Sequence, residues 1–122
     1  MSLKIKHADI LKDLDASTPT VVLHGCNCLH TMGAGIAKYL SSKYPLILAI
    51  DKQTKFADRE KLGTVSIAGI TGFFHIVNCY TQFDYRRRSN APPVDYNAID
   101  RCLENIAFLY PDWEIRSPKI LS

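Results

Sequence analysis

The chain has 122 residues and a mass of 13.7 kDa, the size of one compact domain, and its 47% hydrophobic and 22% charged residues exclude a disordered chain. The net charge of +3 suits a phosphate-bearing ligand but falls short of a nucleic-acid-binding signature, so we expect no nucleic-acid partner. No apolar run approaches the ~20 residues of a membrane-spanning helix and the N-terminus lacks the apolar block of a signal peptide, so we expect a soluble, cytoplasmic protein without a membrane partner.

The N-terminal half predicts two strands followed by two helices. Residues 3–9 alternate polar and apolar side chains and predict a first strand, and the β-branched residues 20–24 predict a buried central strand. The glycines of residues 33–37 open a helix that runs to about Tyr44. Pro45 suits the first turn of a second helix, which we expect to end near residue 57. The residues expected on its inward face are Leu46, Ala49, Ile50 and Ala57.

The next segments predict a hairpin and a loop. Residues 64–70 and 73–80 are two alternating strands joined by a turn at residues 71–72. Residues 84–93 are polar and arginine-rich and end in two prolines, so they predict a loop. The arginines at 86–88 are expected to be a solvated face of this loop rather than a phosphate contact.

The C-terminal segment predicts one helix and one strand. Asp95 is a good N-cap for the last helix. Its apolar stripe comprises Ile99, Cys102, Leu103, Ile106 and Tyr110. Residues 113–121 predict a final strand that Pro118 interrupts. Because strands alternate with helices and one pair is a hairpin, residues 1–122 predict a single α/β domain with a mixed sheet.

The strongest local signal lies between the central strand and the first helix, over residues 24–37. A buried strand that runs through small residues into a helix N-terminus is typical of an anion site, since exposed N–H groups and the helix dipole favour phosphate. Asn27 at the strand end offers a donor and an acceptor to a sugar hydroxyl. The alternative is that Gly33 and Gly35 only allow the helix and strand to pack closely.

Two other motifs in this segment are weaker. The glycine pair lacks the third glycine of a dinucleotide fingerprint, because Lys38 stands at that position. His24, Cys26, Cys28 and His30 fall on every second residue and resemble a zinc set, but their spacing is tighter than the usual one. We therefore expect reduced core cysteines, no metal and no cofactor.

His24 is the candidate for chemistry. It lies beside the predicted anion loop, where a histidine is able to transfer a proton near neutral pH or to attack phosphorus. The alternative is that its position next to this loop is accidental.

Three segments, in order along the chain, resemble the macro domain, an ADP-ribose-binding α/β module. The first is Ala8-Asp9-Ile10, after the first strand. The second is His24-Gly25-Cys26-Asn27-Cys28 with the glycine-led residues 32–37. The third is residues 78–82, with residues 94–99 after them. The resemblance implies a three-layer α/β/α fold with a mixed sheet and ADP-ribose as the ligand.

The resemblance also implies roles for individual residues. Asp9 would hydrogen-bond the adenine amino group with the Ile10 backbone beside it, and Asn27 would hold the distal ribose. The backbone N–H groups that would cradle the diphosphate belong to Gly33, Ala34, Gly35 and Ile36.

The first loop most resembles the branch that removes phosphate from ADP-ribose 1''-phosphate, with His24 as acid–base or nucleophile. We therefore expect this phosphatase activity, with a non-catalytic ADP-ribose-binding module or a mono-ADP-ribosyl hydrolase as alternatives. The hydrolase branch that cleaves ADP-ribose from carboxylates places a lysine on the strand matching residues 76–82, where this chain has none.

The family continues beyond the strand at residues 117–120 into a second glycine-rich loop, a helix and a last strand, whereas this chain ends at Ser122. We therefore expect a fold without these last elements and with half the ligand clamp missing. Since uncovered apolar sheet is unfavourable, we expect a second copy to cover it in a homodimer or by exchange of elements. The alternative is a shortened, inactive remnant that still folds.

Overall fold

The computed structural model describes residues 5–6, 10–84 and 94–118. Within these residues one sheet of five strands has the order β1-β5-β2-β4-β3. The strands are β1 (Ile5–Lys6), β2 (Thr20–Cys26), β3 (Val65–Thr71), β4 (Phe74–Tyr80) and β5 (Glu114–Arg116). The neighbours pair in parallel except β3 and β4, which form the predicted antiparallel hairpin. The predicted α/β fold with a mixed sheet is confirmed.

Three α-helices cover the two faces of this sheet. They are α1 (Gly35–Lys43), α2 (Leu46–Asp51) and α3 (Tyr96–Leu109). Leu40 of α1 and Ile47 of α2 pack with Val22 and Ile76 on one face, while Ile106 of α3 packs on the other. The described chain is thus a three-layer arrangement with the sheet in the middle. None of its helices is long and apolar enough to cross a membrane.

The period-two pattern of β2 and β4 explains why both faces carry a core. Val21 and Leu23 of β2 face α3, and the residue between them, Val22, faces α1 and α2. In β4 the side chain of Ile76 faces α1 and α2, and that of Val77 faces α3. Strands that are buried on both faces have continuous apolar sequences, which is the pattern that predicts a central strand at residues 20–24.

Helix α3 begins and packs as its sequence predicts. The Asp95 carboxylate accepts a hydrogen bond of 3.0 Å from the N–H of Ala98, which caps the first turn. The predicted stripe faces the sheet: Ile99, Cys102, Ile106 and Tyr110 are buried, and Leu103 is partly buried.

The prediction for α2 is wrong in length and in face. The helix ends at Asp51, and Leu46, Ala49 and Ala57 are exposed, whereas Ile47 and Asp51 are buried and Ile50 is half-buried. Contacts to β4 set this face, since the Asp51 carboxylate and the Ile47 carbonyl both accept hydrogen bonds from β4 side chains. These contacts override the apolar pattern of the segment.

The other element bounds differ less. Strand β2 extends two residues beyond its predicted end, to Cys26. Of the predicted strand 3–9 the structure describes only β1, and the predicted strand 113–121 is wrong in its bounds, because Trp113, Ser117 and Pro118 are described but lie outside β5. Residues 85–93 of the predicted loop, residues 7–9 and residues 119–122 lie outside the described part of the chain.

Candidate ligand-binding cleft

A cleft of about 640 Å³ lies where β2 and β4 end and α1 begins. Because these two strands are parallel neighbours, their carboxyl ends meet at one edge of the sheet. The cleft is lined by Gly25, Cys26, Asn27, Thr31, Met32, Gly33, Ala34, Gly35, Ile36, Ala37, Thr81, Gln82 and Val94. Ligands of α/β proteins bind beyond the carboxyl ends of the strands, which is the position of this cleft.

One wall of the cleft is the glycine-led start of α1. Ala34 is extended, no side chain caps the helix, and no acidic residue lies in its first turn. The first N–H groups of an α-helix have no partner within the helix, so they are free to donate to a ligand, and the helix dipole favours an anion there.

The glycines of this wall do not serve close packing. A Cβ built on Gly33 or on Gly35 meets no atom within 4 Å, so the alternative of close helix–strand packing is wrong. Gly35 is required for its backbone, because its φ of +60° lies in the left-handed region. Gly33 borders open space in the cleft.

Asn27 has its amide largely committed to its own loop. Its Nδ2 donates to the backbone carbonyl of Thr31 (3.1 Å) and to the Thr31 hydroxyl (2.7 Å), and its Oδ1 accepts from the N–H of Leu29 (2.8 Å). Both amide hydrogens are used, while the oxygen keeps a second lone pair. Asn27 is thus able to accept a hydrogen bond from a ligand but has no donor left to offer.

His24 is fully buried and does not line the cleft. Its Nε2 lies 2.6 Å from Asn78 Oδ1, and since Asn78 Nδ2 donates to the Ile47 carbonyl and to Ser66 Oγ, the imidazole Nε2 carries the proton. Burial lowers the pKa of His24 to about 4, so the ring is neutral at pH 7. Cys26 connects it to the cleft, with Sγ 3.8 Å from His24 Nδ1.

Comparison with known protein families finds no match. An uncharacterized 17.5 kDa protein of the tk–vs intergenic region of enterobacteria phage T4 is 40% identical over 86 residues, which are 67% of this chain and 52% of that protein. The match thus spans about half the length of this curated relative.

Solved structures resemble the whole described fold. A protein of unknown function from Bacteroides thetaiotaomicron superposes with a TM-score of 0.78 at 21% identity, over 96% of this chain and 76% of that one. A macrodomain protein from Streptomyces coelicolor gives 0.70 at 20% identity, over 94% and 76%. The macrodomain of Thermus aquaticus DarG gives 0.66 at 12% identity, over 97% and 98%. The chain has the macrodomain fold.

In this macrodomain fold residues 27–31, the predicted ligand loop, are held by hydrogen bonds to neighbouring loops. The N–H of Cys28 donates to the Phe83 carbonyl (2.9 Å), and the Cys28 carbonyl accepts from the N–H of Ala57 (2.7 Å). His30 Nε2 lies 2.8 Å from the carbonyl of Thr54. His30 and Ala57 both have a φ of 56°, an unfavourable conformation for residues other than glycine, so the loop-to-loop contact maintains local backbone strain.

A buried polar network lies beneath this loop support. The Tyr80 hydroxyl donates to the Asp51 carboxylate (2.7 Å), and Lys61 Nζ donates to Thr54 Oγ1 (2.6 Å) from a position 4.3 Å from the centre of the Tyr80 ring. Ser66 Oγ lies 2.9 Å from the Tyr80 hydroxyl and thereby joins the network to Asn78. No sequence motif marks these residues, which come from four separate segments.

The four cysteines, Cys26, Cys28, Cys79 and Cys102, are all free and buried. Burial raises the pKa of the Cys26 thiol well above its usual range, so Cys26 stays protonated at the edge of the cleft. Within residues 5–6, 10–84 and 94–118, no three His, Cys, Asp or Glu side chains are grouped closely enough to hold a metal ion.

The structure brings together five of the eight predicted site residues and places two of them elsewhere, while the eighth lies outside the described part of the chain. Asn27, Gly33, Ala34, Gly35 and Ile36 line one cleft. Ile10 is buried in the core on the side of α1 and α2, His24 lies behind Cys26, and Asp9 is outside the described residues. The roles assigned to these residues stay predictions.

Sequence reasoning missed the wall formed by Thr81, Gln82 and Val94. Thr81 and Gln82 directly follow β4, and the rule that ligands bind beyond the carboxyl ends of parallel strands would have pointed to them. That rule needs the pairing of β2 with β4, which the sequence pattern does not reveal.

Proposed function

We propose that this chain binds ADP-ribose in the cleft at the start of α1. The observation that carries the proposal is a glycine-led, uncapped helix N-terminus that opens into a cleft of about 640 Å³ within a macrodomain fold. Free backbone N–H groups and the helix dipole suit a diphosphate, and the volume suits a nucleotide-sized ligand.

The chemistry of the lining supports this assignment. The diphosphate would meet the N–H groups of Gly33, Ala34, Gly35 and Ile36, and a ribose hydroxyl would donate to the remaining lone pair of Asn27 Oδ1. The adenine contact of Asp9, with the Ile10 backbone beside it, stays a prediction, because Asp9 lies outside the described residues.

Binding is favoured over catalysis by the neutrality of the cleft. Among the described residues that line it, none is acidic, basic or a histidine. General acid–base catalysis needs a titratable group within hydrogen-bond distance of the reacting atoms. The titratable side chain of the described lining is the Cys26 thiol, and burial raises its pKa well above the usual range, so it stays protonated.

A matched pair of glycine variants tests the proposal by calorimetric titration with ADP-ribose. Gly33→Glu places a carboxylate beside the phosphates, and we expect at least a tenfold loss of affinity (about 1.4 kcal/mol), since like charges about 4 Å apart near a protein surface repel by about 4 kcal/mol. Gly72→Glu is the control: its added Cβ also meets nothing within 4 Å, but it lies in the β3–β4 turn at the opposite end of the sheet.

The two titrations decide the proposal. Unchanged affinity in Gly72→Glu together with weak binding in Gly33→Glu supports the cleft as the ADP-ribose site. No heat from the unmodified protein at saturating ADP-ribose would refute ADP-ribose binding. If Gly33→Glu binds ADP-ribose as tightly as Gly72→Glu does, the ligand does not lie at the glycine turn.

The second candidate is removal of phosphate from ADP-ribose 1''-phosphate. The observation in its favour is the contact of Cys26 with His24, because Cys26 lines the cleft and its Sγ lies 3.6 Å from His24 Nε2 and 3.8 Å from His24 Nδ1. The neutral imidazole has an unprotonated Nδ1 and is thus able to accept a proton. The mono-ADP-ribosyl hydrolase alternative stays a prediction, with no lysine on β4 to support it.

Phosphate release from ADP-ribose 1''-phosphate separates the phosphatase from the binding module. If His24 acts in catalysis, His24→Asn abolishes release while ADP-ribose still binds, and His75→Asn, a histidine on β4 that does not line the cleft, leaves release unchanged. Binding without any release by the unmodified protein would leave the binding module as its function.

The homodimer expected from the sequence also stays a prediction. The expectation rests on apolar sheet surface that is left uncovered. However, β2 is buried except at Gly25, and β4 is buried except at His75. On these two strands the described structure leaves no apolar surface that a second copy would need to cover. Light scattering over a wide range of concentrations tests the expectation, and a constant monomer mass would contradict it.

A further inference from the structure

Two polar residues form the cleft wall next to Asn27. Thr81 and Gln82 follow the last residue of β4, and both line the cleft. Their backbone N–H groups donate to the same carbonyl, that of Cys26, at 3.1 and 3.4 Å. This pairing places them beside the residue that the proposed function assigns to the terminal ribose.

The Thr81 side chain is nearly enclosed, but its hydroxyl has no hydrogen-bond partner among the described residues. Thr81 is 3% exposed, and its side chain makes no hydrogen bond to the described part of the chain. Every fully enclosed side-chain oxygen or nitrogen of the described residues has a partner, so the unpaired Thr81 hydroxyl keeps some exposure, and Thr81 lines the cleft. A polar group that is buried except toward a cleft is satisfied when a ligand fills the cleft.

Gln82 adds a primary amide to the same wall. It is half-buried, and its side chain likewise makes no hydrogen bond to the described residues. Its amide offers two N–H donors and an acceptor oxygen. Both amide hydrogens of Asn27 donate to Thr31, so Thr81 and Gln82 supply the donors that Asn27 lacks.

A vicinal diol matches the hydrogen-bond donors and acceptors of Thr81, Gln82 and Asn27, because each sugar hydroxyl donates one hydrogen bond and accepts others. We propose that Thr81 and Gln82 hydrogen-bond the terminal ribose and select a sugar-bearing nucleotide over the bare nucleoside diphosphate. The proposal rests on the proposed function, since it assumes that the diphosphate lies at the glycine turn. It assigns two ligand-contacting residues beyond Asn27 and the turn itself.

Titration of two ligands against a small set of variants tests the proposal. ADP-ribose carries the terminal ribose and ADP lacks it. We expect Thr81→Val and Gln82→Leu each to weaken ADP-ribose binding fivefold to tenfold and to leave ADP binding within twofold. Thr81→Ser, which keeps the hydroxyl, should restore most of the ADP-ribose affinity.

Two further variants are matched controls. Thr20→Val removes a buried hydroxyl at the opposite end of β2, where Thr20 Oγ1 donates to the Thr18 carbonyl (2.9 Å). Gln53→Leu makes the same change as Gln82→Leu at an exposed position after α2. Both should bind ADP-ribose and ADP as the unmodified protein does, and thermal melts identify any variant that fails to fold.

The outcomes separate the two proposals. If the unmodified protein binds neither ligand, the proposed function fails and the inference falls with it. If it binds ADP-ribose but Thr81→Val and Gln82→Leu bind it unchanged, the inference alone is overturned. Equal losses for ADP-ribose and ADP also overturn it, because the wall would then contact the diphosphate. If Thr81→Val does not fold, Gln82→Leu decides the result.

Discussion

The two faces of the sheet both carry an apolar core but differ in polarity toward the carboxyl ends of β2 and β4. On the α3 face, β2 and β4 present Val21, Leu23, Val77 and Cys79. On the α2 face the same strands present polar side chains toward their carboxyl ends: His24, Asn78 and Tyr80, which are joined by hydrogen bonds to one another or to Ser66 and Asp51. His24 of this polar set contacts Cys26, which lines the cleft, and Val94, which packs against the apolar cluster of the α3 face, lines the cleft as well.

This difference indicates that the stability of the fold and the position of the ligand loop depend on different faces of the sheet. A buried hydrogen bond adds only about 0.5–1.5 kcal/mol net, so a polar network is a weak means of stabilising a fold. It does define geometry, because each donor and acceptor must meet a specific partner. We infer that the α3 face mainly supports folding, and that the α2 face holds residues 27–31 in place.

The largest expected effect concerns the apolar face. Ile106→Ala removes a fully buried side chain of α3, and we expect the free energy of unfolding to fall by about 2–5 kcal/mol because a cavity remains. Affinity for ADP-ribose should not change at temperatures where the variant is folded. Urea unfolding and calorimetric titration measure the two quantities.

Phe108→Ala is the control on the same helix. Phe108 is 84% exposed, so its removal should change the free energy of unfolding by less than about 0.5 kcal/mol. If Ile106→Ala loses more than twofold in affinity for ADP-ribose, the proposed division of folding and loop positioning between the two faces is wrong.

The second-largest expected effect is a pH dependence of the free energy of unfolding, which His24 on the polar face causes. Its folded pKa of about 4 lies below the ordinary 6.5, so the unfolded chain binds the extra proton first as pH falls. Stability is therefore full above pH 6.5 and decreases between pH 6.5 and 4, by about 3 kcal/mol. Urea unfolding at pH 7.5, 5.5 and 4.5 measures the slope.

His24→Asn should remove most of this slope. His75→Asn should change it less, because partial burial lowers the pKa of His75 in the same direction but the residue is only half-buried. A slope that survives in His24→Asn would show that the histidine is not held neutral in the folded protein.

The smallest effect tests the loop support directly. Thr54 accepts a hydrogen bond from Lys61 Nζ and contacts His30, which belongs to the ligand loop. Thr54→Val should weaken ADP-ribose binding about fivefold, equivalent to one hydrogen bond of about 1 kcal/mol, and Thr54→Ser should restore it. Calorimetric titration of both variants measures this change.

Tyr110→Phe is the matched change on the α3 face. It removes the contact of 2.8 Å between the Tyr110 hydroxyl and His75 Nδ1. It should lower the melting temperature about as much as Thr54→Val does while affinity stays the same. Equal affinity in Thr54→Val and Tyr110→Phe would contradict a positioning role for Thr54.

The sequence by itself determined the elements whose signals are local. The alternation of residues 64–80 predicted the hairpin, the carboxylate of Asp95 predicted the start of α3, and the glycines at 33 and 35 predicted the turn that lines the cleft. Each of these signals depends on side chains within a few residues of one another, so strand and helix periodicity is enough to find them.

Only the tertiary structure decided which chemical groups reach the cleft. His24 is buried because Asn78, 54 residues away, meets it across the parallel pair of β2 and β4, and Thr81 lines the cleft through the same pairing. The end of α2 at Asp51 likewise depends on Tyr80. Such contacts follow from strand order and register, and hydrophobic periodicity along one segment carries no information about which strand will lie beside it.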